Sequence, residues 1–350
     1  MLRSRLASSG GAAHGRRMRA RLWGLRFAAT RLSSSVEERL FGDTIRSTPL
    51  EKPPLFIVGH YRSGSTLLHK LIAADPQIAS VDTYDLLFPT SPRVLKRVTR
   101  PLLQAGLRLL RVRQSFFHDY VVRLDDPNEL EPLMLSLGSP WSAYWGYFCP
   151  NEAERHLHGS FDTGTGSEWR SAYAYFVRRT AWKTGGPRLV IKDPMNTGRL
   201  GELVEMFPGA RFVHIHRDPR RVVESMWRLW RDTIEPEFSL QRITDERRAR
   251  IILEHYRTLM SRYERQRTSV PGDALVELRY DDLRADPIGA VKRLYTELDV
   301  PGFADAEPYI ARRLTEDAGY TESPREASTP VLAALTESVE EWCGRLGYAC

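Results

Sequence analysis

The order of apolar and polar residues predicts strands that alternate with helices. Leu55 to Val58 is a run of four apolar residues, read as a buried strand, and Leu67 to Ala73 predicts the helix that follows. Ile78 to Asp82 predicts a short second strand. Residues 188–235 supply two strands and two helices; one of the strands is Arg211 to His216, with Arg220 to Trp230 the helix behind it. Between them Asp218 is a good N-cap and Pro219 a good first helical residue. Residues 165–184 carry Trp169, Tyr173, Phe176 and Val177 at helical spacing. Residues 238–267 read as one long charged helix, with Ile251, Tyr256, Leu259 and Tyr263 on its apolar side. Leu275 to Arg279 is a last strand, Ile288 to Glu297 a helix, and residues 304–350 a helical extension. Such alternation argues for an α/β chain around a parallel sheet. Residues 88–150 break the alternation: a basic amphipathic stretch (Leu95 to Arg113) precedes an aromatic run with Trp141, Tyr144, Trp145, Tyr147 and Phe148, fit to line an apolar pocket or core.

Composition changes this picture at one end only. The chain has 350 residues, 42% of them hydrophobic, enough for a substantial core. Residues 1–36 hold eight arginines and no acid, so setting those eight aside turns the net charge of +7 into −1. The folded part is near neutral, and the basic balance is no argument for a nucleic-acid partner. Residues 1–50 are expected to be a basic, disordered tail and lead-in. An organelle transit peptide, an arm touching anionic membrane, and an extension without a role all fit its composition. The default expectation is a cytoplasmic protein, with organelle import through the arginine-rich N-terminus as the alternative. Three cysteines, Cys149, Cys343 and Cys350, form no Cys-x-x-Cys pair and indicate neither a disulfide framework nor zinc. The longest uncharged run, Pro132 to Asn151, is broken by Gly138, Pro140, Gly146 and Pro150, which argues against a membrane span.

The candidate chemistry begins at Gly59-His60-Tyr61-Arg62-Ser63-Gly64-Ser65-Thr66. This is a P-loop frame without its lysine: Ser65 stands where a nucleoside-triphosphate loop needs Lys, and Arg62 is the loop's cation. A glycine-rich turn between strand and helix still aims backbone N–H groups, and the helix dipole, at an anion. A second anion site is expected at Arg217, at the end of a strand, with Ser225 about two helical turns on. Local readings compete. Ser63, Ser65 and Thr66 would also cap a helix, Arg217 would also suit a buried ion pair, and Lys192 would also suit a solvated strand end. Asp281 and Asp282 read as turn and cap residues, and Tyr280 as packing.

Together these stretches resemble the superfamily of sulfotransferases that use 3′-phosphoadenosine 5′-phosphosulfate. Tyr61-Arg62-Ser63-Gly64-Ser65-Thr66 matches its 5′-phosphosulfate loop, except for Tyr61 in place of the common proline. Arg217 and Ser225 match its 3′-phosphate site. Leu189 to Pro194 resembles its K-[SD]-P segment, and Arg279 to Leu283 with Asp286-Pro287 its late signature. Lys192-Asp193-Pro194, with Thr197 nearby, is most similar to the tyrosylprotein branch, whose lysine there contacts the transferring group. The four stretches keep the family's order over residues 51–303. The resemblance implies a P-loop-type three-layer α/β fold with a central parallel sheet, a helical acceptor-binding insertion at 88–150 and a C-terminal helical extension at 304–350. It implies in-line sulfuryl transfer to a hydroxyl or amine, release of 3′,5′-adenosine bisphosphate, and no metal. It implies Arg62 and Lys192 as the catalytic cations, and Arg62, Ser63, Gly64, Ser65, Thr66, Arg217 and Ser225 as the residues that hold the nucleotide. For the base it offers Glu131 first, then Glu129 and Asp82; Asp126 and Glu129, with Pro127 between, also read as a helix capping box. His60 and His118 are further base candidates, though such residues more often simply hydrogen-bond locally. The acceptor, whether small molecule, lipid, carbohydrate or tyrosine, and the oligomeric state are not legible. Two other classes stay open: a P-loop kinase, for which Ser65 is the wrong residue, and a non-catalytic nucleotide-binding relative.

Overall fold

The computed structural model describes residues 13, 15–91, 93–109, 123–137, 139–140, 142–161, 166–316 and 329–349. They gather into two units, each built from separated stretches of chain.

One unit comprises Pro49–Ser80, Thr184–Met226 and Ile252–Cys350. It contains a five-stranded parallel sheet of β1 (Leu55–Val58), β2 (Ile78–Ala79), β3 (Arg188–Lys192), β4 (Arg211–His216) and β5 (Leu275–Arg279), in the order β2-β3-β1-β4-β5. Val58 of β1 lies opposite His214 of β4, and Ile57 opposite Lys192 of β3. The four residues of β1 are all buried, which explains why they read as an unbroken apolar run rather than an alternating one. Ile57, Val190, Val213, Ile215 and Leu278 from the strands pack with Leu68, Leu71 and Ile72 of helix Ser65–Ile72 and Val291 and Leu294 of helix Pro287–Glu297. Truncating one such leucine to alanine costs about 2–5 kcal/mol. After β1 the chain leaves for one edge of the sheet, and after β3 it crosses to the other side of β1. The C-terminal ends of β1 and β4 therefore flank the topological switch point, where open parallel sheets bind ligands.

The other unit comprises Met1–Thr48, Val81–Lys183 and Trp227–Ile251. Here three expectations are corrected. Of residues 1–50, expected to be a disordered tail and lead-in, Arg17–Ser47 forms a 31-residue helix, while residues 1–12 and 14 lie outside the described residues. What holds it is invisible to local composition: Phe27 packs on Trp145 and Phe148, and buried Glu37 pairs with the guanidinium of buried Arg179. The aromatic run thus serves as core around this helix; Trp141 and His118 lie outside the described residues. The capping box between Asp126 and Glu129 does not form. The helix begins later, at Leu130–Ser136, with Glu129 as an N-cap whose side chain makes no capping bond. Pro132 explains the shift, because proline is tolerated only in the first turn of a helix. The long helix expected from residue 238 starts at Asp245 and runs to Gln266.

Candidate functional site

The glycine turn after β1 is shaped by close approach. Gly59 has φ 143°, and a Cβ there would fall 2.2 Å from the Ile215 carbonyl oxygen of β4. Its N–H donates to Thr197 Oγ1 at 2.7 Å, which ties the turn to the residues following β3. Arg62 and Gly64 both have left-handed backbones, φ 67° and 94°. Gly64 is the N-cap of helix Ser65–Ile72, and no side chain caps that helix end. The cap position is therefore held by Gly64 and not by Ser63, Ser65 or Thr66. Ser63 Oγ is buried without a hydrogen-bond partner. A buried hydroxyl left unsatisfied is costly, and this one sits in the turn whose N–H groups open the helix.

The two predicted anion sites meet. Arg62 donates from Nε to Ser225 Oγ at 2.9 Å, joining the glycine turn to helix Pro219–Leu229. Asp218 accepts from Arg220 N at 2.9 Å and so fixes the start of that helix, as its cap position predicts. Arg217, at the end of β4, lies with its guanidinium 4.6 Å over the ring of Tyr280. The same ring presses on the turn: a Cβ at Gly64 would lie 2.2 Å from Tyr280 Cδ2. Tyr280, read from sequence as mere packing, thus touches both elements expected to hold anions. Nothing in local spacing signalled this, because the contacts span more than sixty positions. Lys192, buried at the end of β3, donates to Thr66 Oγ1 at 3.3 Å. Arg62, Ser63, Gly64, Ser65, Thr66, Lys192, Arg217 and Ser225 all belong to one unit, on strand ends that point the same way.

Two neighbours complete the electrostatics. His60 is fully buried, with Nδ1 bonded to the Tyr61 carbonyl at 2.9 Å; burial lowers its pKa to about 4, so the ring is neutral. Asp193 accepts from Met195 N at 3.1 Å and caps the turn Pro194–Gly198.

The three acids named as base candidates lie in the other unit. Glu131 is fully buried and accepts from Ala143 N at 3.1 Å and Ser142 Oγ at 3.4 Å. Glu129 is half-buried and accepts the Tyr144 hydroxyl. Asp82 caps helix Thr83–Leu87 in a reciprocal capping box with Asp85, and takes Lys96 at 2.9 Å and Arg100 at 3.3 Å. Burial, and then the neighbouring Asp85 charge, raise the pKa of Asp82. Among the described residues no cluster of His, Cys, Asp or Glu could hold a metal ion.

A family model described as "Sulfotransferase family" matches residues 53–305. Two curated relatives, from Mycobacterium bovis and Mycobacterium tuberculosis, are both omega-hydroxy-beta-dihydromenaquinone-9 sulfotransferase Stf3. Each is 28% identical over 313 residues, covering 88% of this chain and 79% of its own length. Among solved structures, sulfotransferase STF1 from Mycobacterium tuberculosis H37Rv superposes with a TM-score of 0.74 at 18% identity, over 97% of this chain and 90% of that one. Sulfotransferase STF9 from Mycobacterium avium gives 0.72 at 19% identity, over 91% and 82%. At such identities the superpositions speak for the fold.

Proposed function

Because the chain belongs to the sulfotransferase family, we propose that its donor is 3′-phosphoadenosine 5′-phosphosulfate and its acceptor a hydroxyl on a lipid-like molecule. The observation that carries the donor reading is the Arg62–Ser225 contact. It brings a glycine turn and a strand-end arginine site, each suited to one phosphate, to adjoining positions. The residues present fit such a group. Ser63 Oγ is a buried hydroxyl in want of a partner, and Gly59 and Gly64 let the turn press against the Ile215 carbonyl and the Tyr280 ring, where no side chain fits.

In this reading the N–H groups of Ser63 to Thr66 and the dipole of helix Ser65–Ile72 hold the 5′-phosphate. Arg217 and Ser225 hold the 3′-phosphate. When bound, the nucleotide supplies the sulfuryl group and the bridging oxygen that leaves with growing negative charge. Arg62 and Lys192 oppose that charge, fixed in place by Ser225 and Thr66. The base takes the proton of the acceptor hydroxyl as its oxygen bonds to sulfur. Glu131, Glu129 and Asp82 each accept from other groups, so partners alone single out none of them as that base.

The acceptor class rests on the curated relatives, which act on omega-hydroxy-beta-dihydromenaquinone-9. The test is transfer of a labelled sulfuryl group to a panel of a hydroxylated prenyl quinone, a simple phenol, a sugar and a tyrosine peptide, with products read by mass. Transfer to the quinone hydroxyl supports the reading, and transfer only to peptide or sugar overturns the acceptor class. Phosphoryl transfer from ATP with magnesium, without sulfuryl transfer, would overturn the donor.

A further inference from the structure

We infer that the unit containing the N-terminal helix carries a docking surface for an anionic lipid bilayer. Of the fifteen large hydrophobic residues that stand exposed among the described residues, fourteen fall in three segments of this unit: helix Arg17–Ser47, Leu87 and Phe88, and helix Arg93–Leu109. Isolated exposed leucines are ordinary, but a concentration of this kind marks an interaction surface.

The pattern is directional. Met18, Leu22, Leu25, Leu32, Val36 and Leu40 recur every three to four residues or at multiples of that spacing, so they share one face of the first helix. At ~1.5 Å per residue the stripe is roughly 33 Å long. Leu25 and Leu32 are 68% and 71% exposed. Phe27 and Ile45, on the opposite face, are buried. The inner side of the helix is therefore already occupied, and the apolar stripe is left facing outward. Helix Arg93–Leu109 repeats the arrangement. Leu95, Val98, Leu102 and Leu109 face outward, while Lys96 turns the other way to reach Asp82 and Asp85. The segment between the two helices staples them together. Arg26 donates to the Leu86 carbonyl at 3.1 Å, Thr90 bonds Ser33 at 2.9 Å, and Tyr84 bonds Thr99 at 2.5 Å. Exposed Leu87 and Phe88 lie between those anchor points.

Charge selects the occupant. By helical spacing Arg17, Arg21 and Arg39 border the stripe on one side, and Arg26 borders it on the other. Residues 1–36 and 86–118 contain no acid, and Asp43 closes the patch after Leu40. Arginines beside a leucine stripe place their stems on apolar surface and their guanidinium groups among lipid phosphates. A second copy of the same face would bring arginines against arginines. No helix among the described residues is long and apolar enough to cross a membrane, so the stripe lies along the surface rather than through it.

The test is flotation of the full chain with vesicles of pure phosphatidylcholine and of phosphatidylcholine mixed with phosphatidylglycerol, at low and high salt. Binding is expected to the mixed vesicles only, and to fall with salt. Arg21→Gln with Arg39→Gln should weaken it about fivefold per arginine. Leu25→Ser with Leu32→Ser should weaken it about tenfold or more per leucine. Both pairs sit on the exposed face, so helix content by circular dichroism should be unchanged. Should the leucine pair fail to fold, the arginine pair still decides. Equal binding to neutral and anionic vesicles, or full binding by either variant, would overturn the proposal. So would light scattering that shows a dimer which the leucine pair splits, with no vesicle binding by the parent chain.

Discussion

Replacing Gly64 with alanine is the sharpest probe of how the site is assembled. Two costs follow from the structure. The residue has φ 94°, a left-handed conformation that costs an alanine about 1–2 kcal/mol. The new Cβ would also lie 2.2 Å from Tyr280 Cδ2 and 2.7 Å from Cε2. Tyr280 is 5% exposed, so its ring has nowhere to withdraw without disturbing the core. Overpacking of this kind adds about 1–3 kcal/mol. The expected loss of stability is therefore about 2–5 kcal/mol, read as a shift in the urea midpoint at constant slope. The second effect is on binding. The displaced ring is the support beneath Arg217, and one misaligned charge-assisted hydrogen bond is worth about 1.5–3 kcal/mol, or roughly 10–100-fold in affinity for 3′,5′-adenosine bisphosphate. Gly24→Ala is the control, because that helical glycine has nothing within 4 Å of an added Cβ. It should stabilise the chain by roughly 0.5–1 kcal/mol. A Gly64→Ala protein with unchanged stability and unchanged nucleotide affinity would refute the reasoning.

Three other outcomes follow from the same geometry. Lys192→Ala should lower kcat by at least ~100-fold while changing nucleotide affinity much less, since its role is to oppose charge that develops only during transfer; equal losses in both would contradict that role. Tyr280→Leu should reduce the preference for 3′-phosphorylated over unphosphorylated nucleotide by roughly 3–30-fold, the worth of a cation–π contact that is partly desolvated, and Tyr280→Phe should restore it. If Tyr280 acted only as packing, both nucleotides would weaken together. The third outcome concerns pH. His60 has a folded pKa of about 4 against an unfolded 6.5, so the unfolded chain binds the extra proton between those values. Stability is full above the unfolded value and falls as pH drops from 6.5 toward 4, by at most ~1.4 kcal/mol per pH unit for this one ring. Urea midpoints at several pH values should show His60→Asn flattening that slope; an identical slope would contradict a buried neutral ring.

What could be read from sequence was local. The four-residue run of β1, the glycine turn, and the Arg217-Asp218-Pro219 strand exit each carry their signal within a few positions, and the structure puts them on neighbouring parallel strands. The contacts that were missed act at long range. Thr197 holds Gly59 across 138 positions of sequence, and Tyr280 touches Gly64 from still farther. The N-terminal helix failed as a prediction for the same reason: an arginine-rich segment lacks an obvious core face until Glu37 finds Arg179 and Phe27 finds Trp145. Proline at position 132 moved a helix start that the Asp126–Glu129 spacing placed too early.

The most direct measurement is calorimetry of the metal-free protein with 3′,5′-adenosine bisphosphate and with 5′-adenosine monophosphate, repeated on Arg217→Ala. The parent chain should bind the bisphosphate at least ~10-fold more tightly, and the substitution should erase most of that difference. Equal affinity for the two nucleotides in the parent chain would mean that Arg217 and Ser225 do not hold a second phosphate, and the proposed donor would be wrong.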